Sequence, residues 1–421
     1  MLKTIFGPPG TGKTSYLVDA LKQMQEQDNI VLSFSKAAAS EMKKRAKTPC
    51  TFIGTIHSLC FKQAGYRQGQ LAREEEFIEN YNLSGAQEVL DHYQLSRQLM
   101  RDPLDTRGRL NVAKVKYVVT AYENFKRSTG RIDFTDMLTE FEGNVFCDNL
   151  VIDEAQDLTP LQWSIILKIK YKNCIIAGDD DQALYSFNGA DGGYLVDVAD
   201  KADEVKVLSQ SHRLPKAVHK LAGYVSKQIK KRKDKEFKHT GKQGTVRFFG
   251  SIRSCLSALS NKKYTILTRD NFTLNDIRED LMSFGKSFSP GLDKWAKAIR
   301  QFQNRDYEKC DKYLYAYLSA EYPENLDRLT WEEALHMPSN IKAYFKRISV
   351  KEEPQFTLST IHNAKGKEWE NVILITHING KAYQAVKNDR DNEARVWYVG
   401  ITRAKESLYL VGMNEFTRGG L

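Results

Sequence analysis

The sequence contains few cysteines, and their spacing gives them no evident shared role. The six cysteines, Cys50, Cys60, Cys147, Cys174, Cys255 and Cys310, form no C-x-x-C pair and follow no regular spacing. This pattern argues against a zinc site, an iron–sulfur site and a disulfide framework, and it favours free thiols in a reducing compartment.

Long apolar runs are missing as well. No apolar stretch approaches the roughly 18 residues of a membrane span, and the N-terminus has no charged-then-apolar signal region. No internal repeat is visible. We therefore expect a cytoplasmic protein that has no membrane partner.

The sequence does contain a large apolar share and an excess of positive charge. At 421 residues with 41% apolar residues, the chain is long enough for about two to four well-packed domains. Its formal net charge of +10 favours a polyanionic partner, although many basic proteins bind none. The densest basic run, Lys227 to Lys242, is interpreted as a solvated basic face, with nucleic-acid contact as the alternative.

The most informative stretch is Gly7 to Thr14, which has the sequence GPPGTGKT. It follows a short apolar run, Leu2 to Phe6, and leads into Ser15 to Gln25, where apolar residues recur at helical spacing. This strand, loop and helix context is that of a phosphate-binding loop. Glycines let backbone N–H groups turn toward a polyphosphate, Lys13 adds a full positive charge, and Thr14 offers a hydroxyl to Mg²⁺.

Strand candidates alternate with helical stretches along most of the chain, which predicts parallel sheets covered on both faces and an α/β fold class. A second unit of similar character begins near residue 216, and each unit is interrupted by a mainly helical insertion. We expect the two units to hold a nucleotide between them. The strand candidates are residues 2–6, 30–35, 51–53, 149–152 and 173–177 in the first unit, and 246–249, 264–268, 356–360, 372–376 and 407–411 in the second.

Two of these strands end in polar residues suited to nucleotide hydrolysis. Asp153 and Glu154 follow an apolar strand, where one carboxylate can hold a metal ion and the other can orient or deprotonate an attacking water. Gln182 follows the next strand, where it can sense a γ-phosphate. Tyr185 and Phe187 come directly after it, and in a basic protein two such aromatics favour a stacking platform for bases over ordinary core packing.

These motifs, together with Gln210 to Arg213, Thr360 to Trp369 and Val399 to Ala404, resemble those of the UvrD/Rep-like superfamily 1 (SF1A) helicases in a compact form. The resemblance covers nearly the whole chain in the right order. It implies two RecA-like lobes of the P-loop NTPase type, each with a mainly helical insertion. The implied first lobe is residues 1–60 and 129–215 with an insertion at 61–128, and the second is residues 216–284 and 354–421 with a short insertion at 285–353.

The same resemblance implies a nucleotide site that uses ATP and Mg²⁺. Thr14 and Asp153 would hold the metal, Glu154 would act on the hydrolytic water, and Arg213 and Arg403 would be arginine fingers. The implied catalytic residues are Lys13, Asp153, Glu154, Gln182, Arg213 and Arg403. The implied nucleotide contacts are Gly7, Pro8, Pro9, Gly10, Thr11, Gly12, Lys13, Thr14, Ser15, His212, Arg213, Gly366, Glu368 and Arg403.

On the nucleic-acid side, the resemblance places Phe34, Tyr185 and Phe187 against bases. The residues implied to lie on the phosphate backbone are Thr55, His57, Arg269, Thr360 and His362, and Asn188 stands where the family has an arginine that helps to hold the strand. His212 replaces an adenine-stacking tyrosine, and Phe187 replaces a tryptophan. The family's upstream glutamine motif has no counterpart in the six residues before Gly7, so we expect a less strict preference for ATP.

The predicted function is that of an ATP-dependent single-stranded DNA translocase and DNA helicase with 3′ to 5′ polarity. We expect a monomer that acts on single strands and on single-strand/duplex junctions, in a bacterial or phage-infected host cytosol. Two alternatives remain: a nucleotide-gated DNA-binding switch that does not translocate, and an RNA-directed helicase.

Overall fold

The computed structural model describes residues 1–24, 27–47, 49–306, 328–348, 350, 353–378 and 389–420. The chain divides into two units: unit 1 comprises Met1–Arg213 and Ser226–Thr240, and unit 2 comprises Leu214–Val225 and Gly241–Leu421. Each unit contains one parallel sheet with helices, which confirms the predicted α/β class. Within the described residues, no helix is both long and apolar enough to cross a membrane.

Six parallel strands form the sheet of unit 1, in the spatial order β3-β2-β4-β5-β1-β6. The strands are β1 (Leu2–Phe6), β2 (Asn29–Ser33), β3 (Phe52–Thr55), β4 (Phe146–Asp153), β5 (Lys170–Gly178) and β6 (Glu204–Val207). The helices are α1 (Lys13–Gln23), α2 (Lys36–Ala46), α3 (Ile56–Gln63), α4 (Glu74–Tyr81), α5 (Ala86–Gln98), α6 (Val112–Thr129), α7 (Phe134–Thr139), α8 (Pro160–Lys168) and α9 (Gly192–Ala199). The sequence did not predict β6, because this short edge strand is exposed and half charged.

The register of this sheet brings the predicted motifs of unit 1 to one edge. Strand β1 lies between β5 and β6, with Phe6 opposite Gly178 and Val207. Strand β4 ends at Asp153, opposite Ser33 of β2. Because parallel strands share one carboxyl edge, the phosphate loop after β1, the acidic pair after β4 and the sensor after β5 leave the sheet on the same side.

Helices α4, α5 and α6 have a core of their own within unit 1. The Phe77 ring lies 5.2 Å from that of Tyr122 and 5.7 Å from that of Phe125, centroid to centroid. All three side chains are buried. This agrees in character with the predicted helical insertion over residues 61–128, whose exact bounds stay a prediction.

Unit 2 also has six parallel strands, in the order β7-β12-β11-β8-β10-β9. They are β7 (Thr245–Phe249), β8 (Tyr264–Thr268), β9 (Phe288–Ser289), β10 (Phe356–Thr360), β11 (Trp369–Ile375) and β12 (Ala404–Val411). Its described helices are α10 (Lys216–Ser226), α11 (Ile252–Ser257), α12 (Asn271–Ser283), α13 (Asp293–Gln303), α14 (Trp331–Ala334), α15 (Ser339–Phe345) and α16 (Arg390–Ile401).

The described part of the predicted insertion at residues 285–353 shares its core with this sheet. Trp295, Phe302 and Tyr344 belong to the same buried cluster as Ile266 of β8 and Phe356 of β10. Helix α13 supplies Trp295, Ala298, Ile299 and Phe302, whose helical spacing places them on one face. Residues 307–327, 349, 351 and 352 of this predicted insertion lie outside the described residues.

Candidate functional site

The predicted phosphate loop connects β1 to α1. Gly10 and Gly12 have φ angles of 75° and 82°, which only glycine adopts without strain. Lys13 begins α1, is 9% exposed, and donates from Nζ to the carbonyl oxygen of Gly7 at 2.5 Å. The backbone N–H of Gly7 donates to Gly178 at 3.0 Å. The loop is therefore anchored to β5, and its buried ammonium already lies over the turn.

Close packing brings Ser211, His212 and Arg213 against this loop. The Ser211 hydroxyl donates to the Pro9 carbonyl at 2.9 Å, and the His212 N–H donates to the Gly10 carbonyl at 2.8 Å. A Cβ atom on Gly10 would lie 2.3 Å from Cβ of Arg213, so no larger residue fits there. The imidazole of His212 is exposed. Two of the predicted nucleotide contacts are thus adjacent to the loop despite being about 200 residues away in sequence.

The remaining loop positions make local contacts. The Pro8 carbonyl accepts from the Thr11 hydroxyl at 2.7 Å, and the Ser15 hydroxyl accepts from the Arg45 guanidinium at 2.6 Å. A Cβ atom on Gly7 would lie 2.2 Å from Cγ of Lys13, so a larger residue there would displace that side chain. These contacts hold the shape of the loop through protein groups.

The predicted metal ligands are brought together by β4 and α1. The Thr14 hydroxyl donates to Oδ2 of Asp153 at 3.2 Å. Asp153 is 2% exposed, and burial, reinforced by the neighbouring Glu154 carboxylate, raises the pKa of its carboxyl group. A hydroxyl and a carboxylate beside a buried lysine form the donor set that Mg²⁺ and a polyphosphate prefer, so these residues fit that pair of ligands.

A chain of hydrogen bonds connects Glu154 to Gln182. Glu154 has a φ of 56°, in the left-handed region, and its carboxylate accepts from Nε2 of Gln156 at 2.5 Å. The Gln156 side-chain oxygen accepts from the Asp179 N–H at 3.0 Å, and Asp179 Oδ2 accepts from the Gln182 side-chain amide at 2.6 Å. Sequence reasoning assigned no role to Gln156, although its place directly after the acidic pair was a signal.

Three consecutive aspartates are buried beside this chain. Asp179, Asp180 and Asp181 are 0%, 0% and 1% exposed. The ammonium of Lys235 lies 3.3, 2.6 and 2.9 Å from an oxygen of each, and Arg232 donates two 2.8 Å hydrogen bonds to the Asp181 carboxylate. Buried carboxylates require such cations, because an uncompensated buried charge is strongly destabilising.

These contacts correct our interpretation of the basic run. The Lys235 and Arg232 side chains are 1% and 16% exposed, so they are not part of a solvated face. Lys231 and Lys238 do fit the interpretation as a solvated basic face, because their side chains are each 55% exposed.

The predicted stacking residues form a continuous aromatic group. The Phe34 and Tyr185 rings are stacked with centroids 4.9 Å apart, and the Phe187 ring meets Tyr185 edge-on at 5.9 Å. Phe187 is 59% exposed, and Asn188 is exposed beside it. Burial raises the pKa of the Tyr185 hydroxyl to about 12, so the ring is neutral at physiological pH. An exposed ring on a stacked pair offers a surface on which a planar base can stack.

The predicted backbone contacts of unit 1 lie at the start of α3. The Thr55 hydroxyl caps that helix by accepting from the Ser58 N–H at 3.2 Å. Burial lowers the pKa of His57 to about 4, and its ring meets Phe134 edge-on at 6.2 Å. Phe134 is 59% exposed, and sequence reasoning missed it. The signal for it was an aromatic at the first position of a helix capped by Asp133.

In unit 2, the predicted strand contacts lie at the carboxyl ends of β8 and β10. Arg269 donates to Glu393 with its Nε 3.0 and 3.1 Å from the two carboxylate oxygens, and Glu393 is 1% exposed. Thr360 accepts from the Asn363 N–H at 3.3 Å. Burial, assisted by the charges of Arg269 and Lys365, lowers the pKa of His362 to about 4. Arg269 thus has a structural partner that sequence reasoning did not identify.

The predicted nucleotide contacts of unit 2 surround the turn before β11. Arg403 is 1% exposed and donates to the carbonyls of Val399 at 3.0 Å and Lys367 at 3.2 Å. Gly366 has a φ of 78°, and Glu368 is exposed, 3.6 Å from the Lys405 ammonium. The guanidinium therefore holds this turn in place, and its role as an arginine finger stays a prediction.

Two family models match the chain. A model described as an AAA domain matches residues 2–188, and one described as the UvrD-like helicase C-terminal domain matches residues 319–415. The ATP-dependent DNA helicase PcrA of Staphylococcus epidermidis is 24% identical over 283 residues, which cover 55% of this chain and 38% of that protein. PcrA of Staphylococcus aureus is 23% identical over 292 residues, covering 56% and 40%. The matched part of the chain thus spans about two-fifths of the length of these relatives.

Among solved structures, arterivirus nonstructural protein 10, a helicase, covers 100% of this chain and 61% of its own at 12% identity, with a TM-score of 0.42. A similarity at this level carries no argument about function.

Proposed function

We propose that the chain is a member of the UvrD/Rep-like superfamily 1 helicases, with its two parallel-sheet units as RecA-like lobes, and that it acts as an ATP-dependent translocase on single-stranded DNA that separates duplexes. We further propose 3′ to 5′ polarity, action at single-strand/duplex junctions, and a monomer working in the cytosol. The observation that carries the proposal is the arrangement of Lys13, Thr14 and Asp153 around the loop after β1.

ATP and Mg²⁺ are the proposed ligands of this arrangement. Lys13 is positioned to exchange the Gly7 carbonyl for phosphate oxygens, which are stronger acceptors because they are charged. Thr14 and Asp153 would hold the metal, which when bound neutralises charge on the phosphates. Arg213 packs against Gly10 through its backbone and Cβ atom, and its guanidinium is proposed to contribute a second positive charge at the loop.

Hydrolysis is assigned to the Glu154 carboxylate and the Gln182 amide. Glu154 is the general base or water-orienting group, and Gln156 holds its carboxylate by a 2.5 Å hydrogen bond. Gln182 is the sensor at the same edge of the sheet. The hydrogen-bonded path through Gln156 and Asp179 keeps these two groups in a defined relation to each other.

Strand binding is assigned to the aromatic group of unit 1 and to polar residues of both units. Phe34, Tyr185 and Phe187 would stack with bases, each stacked base contributing roughly 1 to 3 kcal/mol. His57 is neutral at physiological pH because its pKa is about 4, so it would donate a hydrogen bond to phosphate without adding charge. In unit 2, Thr360 and His362 are likewise proposed to donate hydrogen bonds to phosphate groups of the strand.

The first experiment compares steady-state ATPase rates of the purified chain with no polymer, with single-stranded DNA and with single-stranded RNA. Strong stimulation by DNA alone supports the proposal. No stimulation favours a nucleotide-gated switch, and equal or stronger stimulation by RNA favours an RNA-directed helicase. Lys13→Ala is the negative control and should abolish ATP turnover. Lys22 is an exposed residue of α1, and Lys22→Ala should leave the ATPase rate unchanged.

A strand-displacement assay on duplexes with a 3′ tail, a 5′ tail or no tail tests the proposed polarity and the proposed separation of duplexes. Unwinding of the 3′-tailed duplex only is expected. Unwinding of the 5′-tailed duplex only would overturn the proposed polarity, and DNA-stimulated ATPase without displacement of either would restrict the protein to translocation.

A further inference from the structure

The aspartate cluster after β5 is chemically unusual. Asp179, Asp180 and Asp181 are consecutive, and each is at most 1% exposed. The cations closest to them come from a segment more than 50 residues later, Ser226–Thr240, which belongs to unit 1 although the residues on both sides of it belong to unit 2. Lys235 forms an ion pair with each of the three aspartates. Among the described ion pairs of this cluster, no other cation does so.

Lys235 is itself held firmly. Its side chain is 1% exposed, and its ammonium lies 2.6 Å from Asp180 Oδ1 and 2.9 Å from Asp181 Oδ2. Burial alone would lower the pKa of Lys235, but the three carboxylates together raise it above its ordinary value, so the ammonium stays charged. The adjacent Lys233 N–H donates to the second oxygen of Asp180 at 2.7 Å.

The Asp179 carboxylate, which Lys235 contacts at 3.3 Å, determines the orientation of Gln182. An ionised carboxylate can only accept hydrogen bonds, so the Gln182 amide must turn its nitrogen toward Asp179, at 2.6 Å. The amide oxygen is then the end of the side chain that does not face Asp179, and an amide oxygen accepts hydrogen bonds, including those from water. This is the orientation that a residue handling an attacking water requires.

The same aspartate also reaches Glu154. The Asp179 N–H donates to Gln156, and Gln156 donates to the Glu154 carboxylate. Displacement of Asp179 would therefore disturb both groups assigned to hydrolysis. Neither Lys13 nor Thr14 is part of this path.

We propose that Lys235 is a positioning residue for nucleotide hydrolysis, which acts through Asp179 on the orientation of Gln182 and on the placement of Glu154. The inference rests on the proposed ATPase function of unit 1. It assigns to one lysine of the basic run a role in the chemical step, separate from nucleotide binding and from strand binding.

The test is Lys235→Met, which keeps the length of the side chain and removes its charge. The control is Lys238→Met in the same segment, where the lysine side chain is 55% exposed. For Lys235→Met we expect kcat of the DNA-stimulated ATPase to fall roughly ten- to hundredfold, with KM for ATP changed by less than about twofold. A kcat equal to that of the control, or a rise in KM that accounts for the loss, would overturn the proposal.

A double-mutant cycle separates positioning from a general structural effect. In a Gln182→Ala background the amide that Lys235 is proposed to orient is already gone, so Lys235→Met should cost less than about threefold further. If the fold-losses in kcat of the two single variants multiply fully in the double variant, Lys235 does not act through Gln182.

Loss of Lys235 leaves three buried carboxylates with one fewer cation, so the single variant can fail to fold. The pair Lys235→Met with Asp180→Asn keeps the formal charge of the cluster. If this pair folds with low kcat, positioning is supported; if its kcat is that of the parent chain, Lys235 only balances charge and the proposal is wrong. Absence of DNA-stimulated ATPase in the parent chain would refute the proposed function itself, before any variant is compared.

Discussion

The side-chain amide of Gln156 donates a 2.5 Å hydrogen bond to the carboxylate of Glu154, and Gln156 is fully buried. Glu154 itself has a φ of 56°, an unfavourable conformation for a residue other than glycine. Such a conformation persists only where the surroundings hold it. Gln156 is therefore one of the residues that hold the proposed general base at the edge of the sheet.

Replacing Gln156 by leucine should lower the ATPase kcat about tenfold while KM for ATP changes little, because the Glu154 carboxylate loses its orienting donor. Burying an aliphatic group of similar size in its place should cost about 1 to 3 kcal/mol of stability, since the Asp179 N–H is left without the Gln156 oxygen. Gln162→Leu, which removes the capping glutamine of α8, is the matched control: it should cost stability without lowering kcat. Equal kcat losses in the two variants would contradict the assignment.

Removing the half-buried Tyr185 ring together with the exposed Phe187 ring should weaken binding of the strand. Tyr185→Ala with Phe187→Ala is expected to lower the affinity for single-stranded DNA by roughly 2 to 6 kcal/mol in all and to uncouple hydrolysis from movement. Fluorescence anisotropy and the strand-displacement assay measure the two effects. Phe146→Ala, an exposed aromatic at the start of β4, is the control and should bind normally. Normal unwinding by the double variant would remove the stacking model.

Arg269 has two assigned roles that can be separated by experiment, one in the stability of unit 2 and one on the strand. Arg269→Met leaves Glu393 buried without this partner and should cost about 3 to 5 kcal/mol in the free energy of unfolding. Arg269→Met with Glu393→Leu should recover most of that loss. If Arg269 contacts the strand, the double variant stays weak in DNA binding; full recovery of binding would make the arginine purely structural.

The two half-buried histidines, His57 and His362, predict a loss of stability in mild acid. Burial lowers the pKa of both His57 and His362 to about 4, against about 6.5 in an unfolded chain. Their neutral form is favoured in the folded state, so their contribution is complete above about pH 6.5 and is lost as pH falls toward 4. Urea unfolding between pH 7.5 and 4.5 should show a slope of at most about 1.4 kcal/mol per pH unit from each histidine. His57→Gln and His362→Gln should each flatten that slope, and an unchanged slope would contradict the burial argument.

Arg403→Ala tests the proposed arginine finger of unit 2. The substitution should lower kcat strongly, with a modest loss of nucleotide binding, and it should also lower the melting temperature, because the turn at Lys367 loses a donor. Lys367→Ala keeps the backbone carbonyl that Arg403 contacts and serves as the control for the turn. A lower melting temperature with unchanged kcat would show that Arg403 is structural only.

Much of the fold follows from local sequence, as particular strands show. Residues 264–268 and 356–360 were predicted as strands and are β8 and β10 with the same bounds. The first is a fully buried run of aromatic, aliphatic and β-branched residues, and the second alternates apolar with hydroxyl residues; both are patterns typical of strands. The exposed edge strand β6 has no such contrast with its surroundings, and the two-residue strand β9 is too short to show a pattern, so neither was predicted.

The sequence by itself determined the order of the motifs, the phosphate loop after β1 and the acidic pair after β4, because glycine conformation, helical spacing and strand burial are local properties. The partners of charged side chains were decided only by the tertiary structure. Lys235 resembles its exposed neighbours in sequence, yet it lies buried among Asp179, Asp180 and Asp181, and Arg269 meets Glu393, which is 124 residues away. A charge carries no local signal of its partner, because the energy of a buried ion pair arises from the distance and burial that only the complete fold establishes.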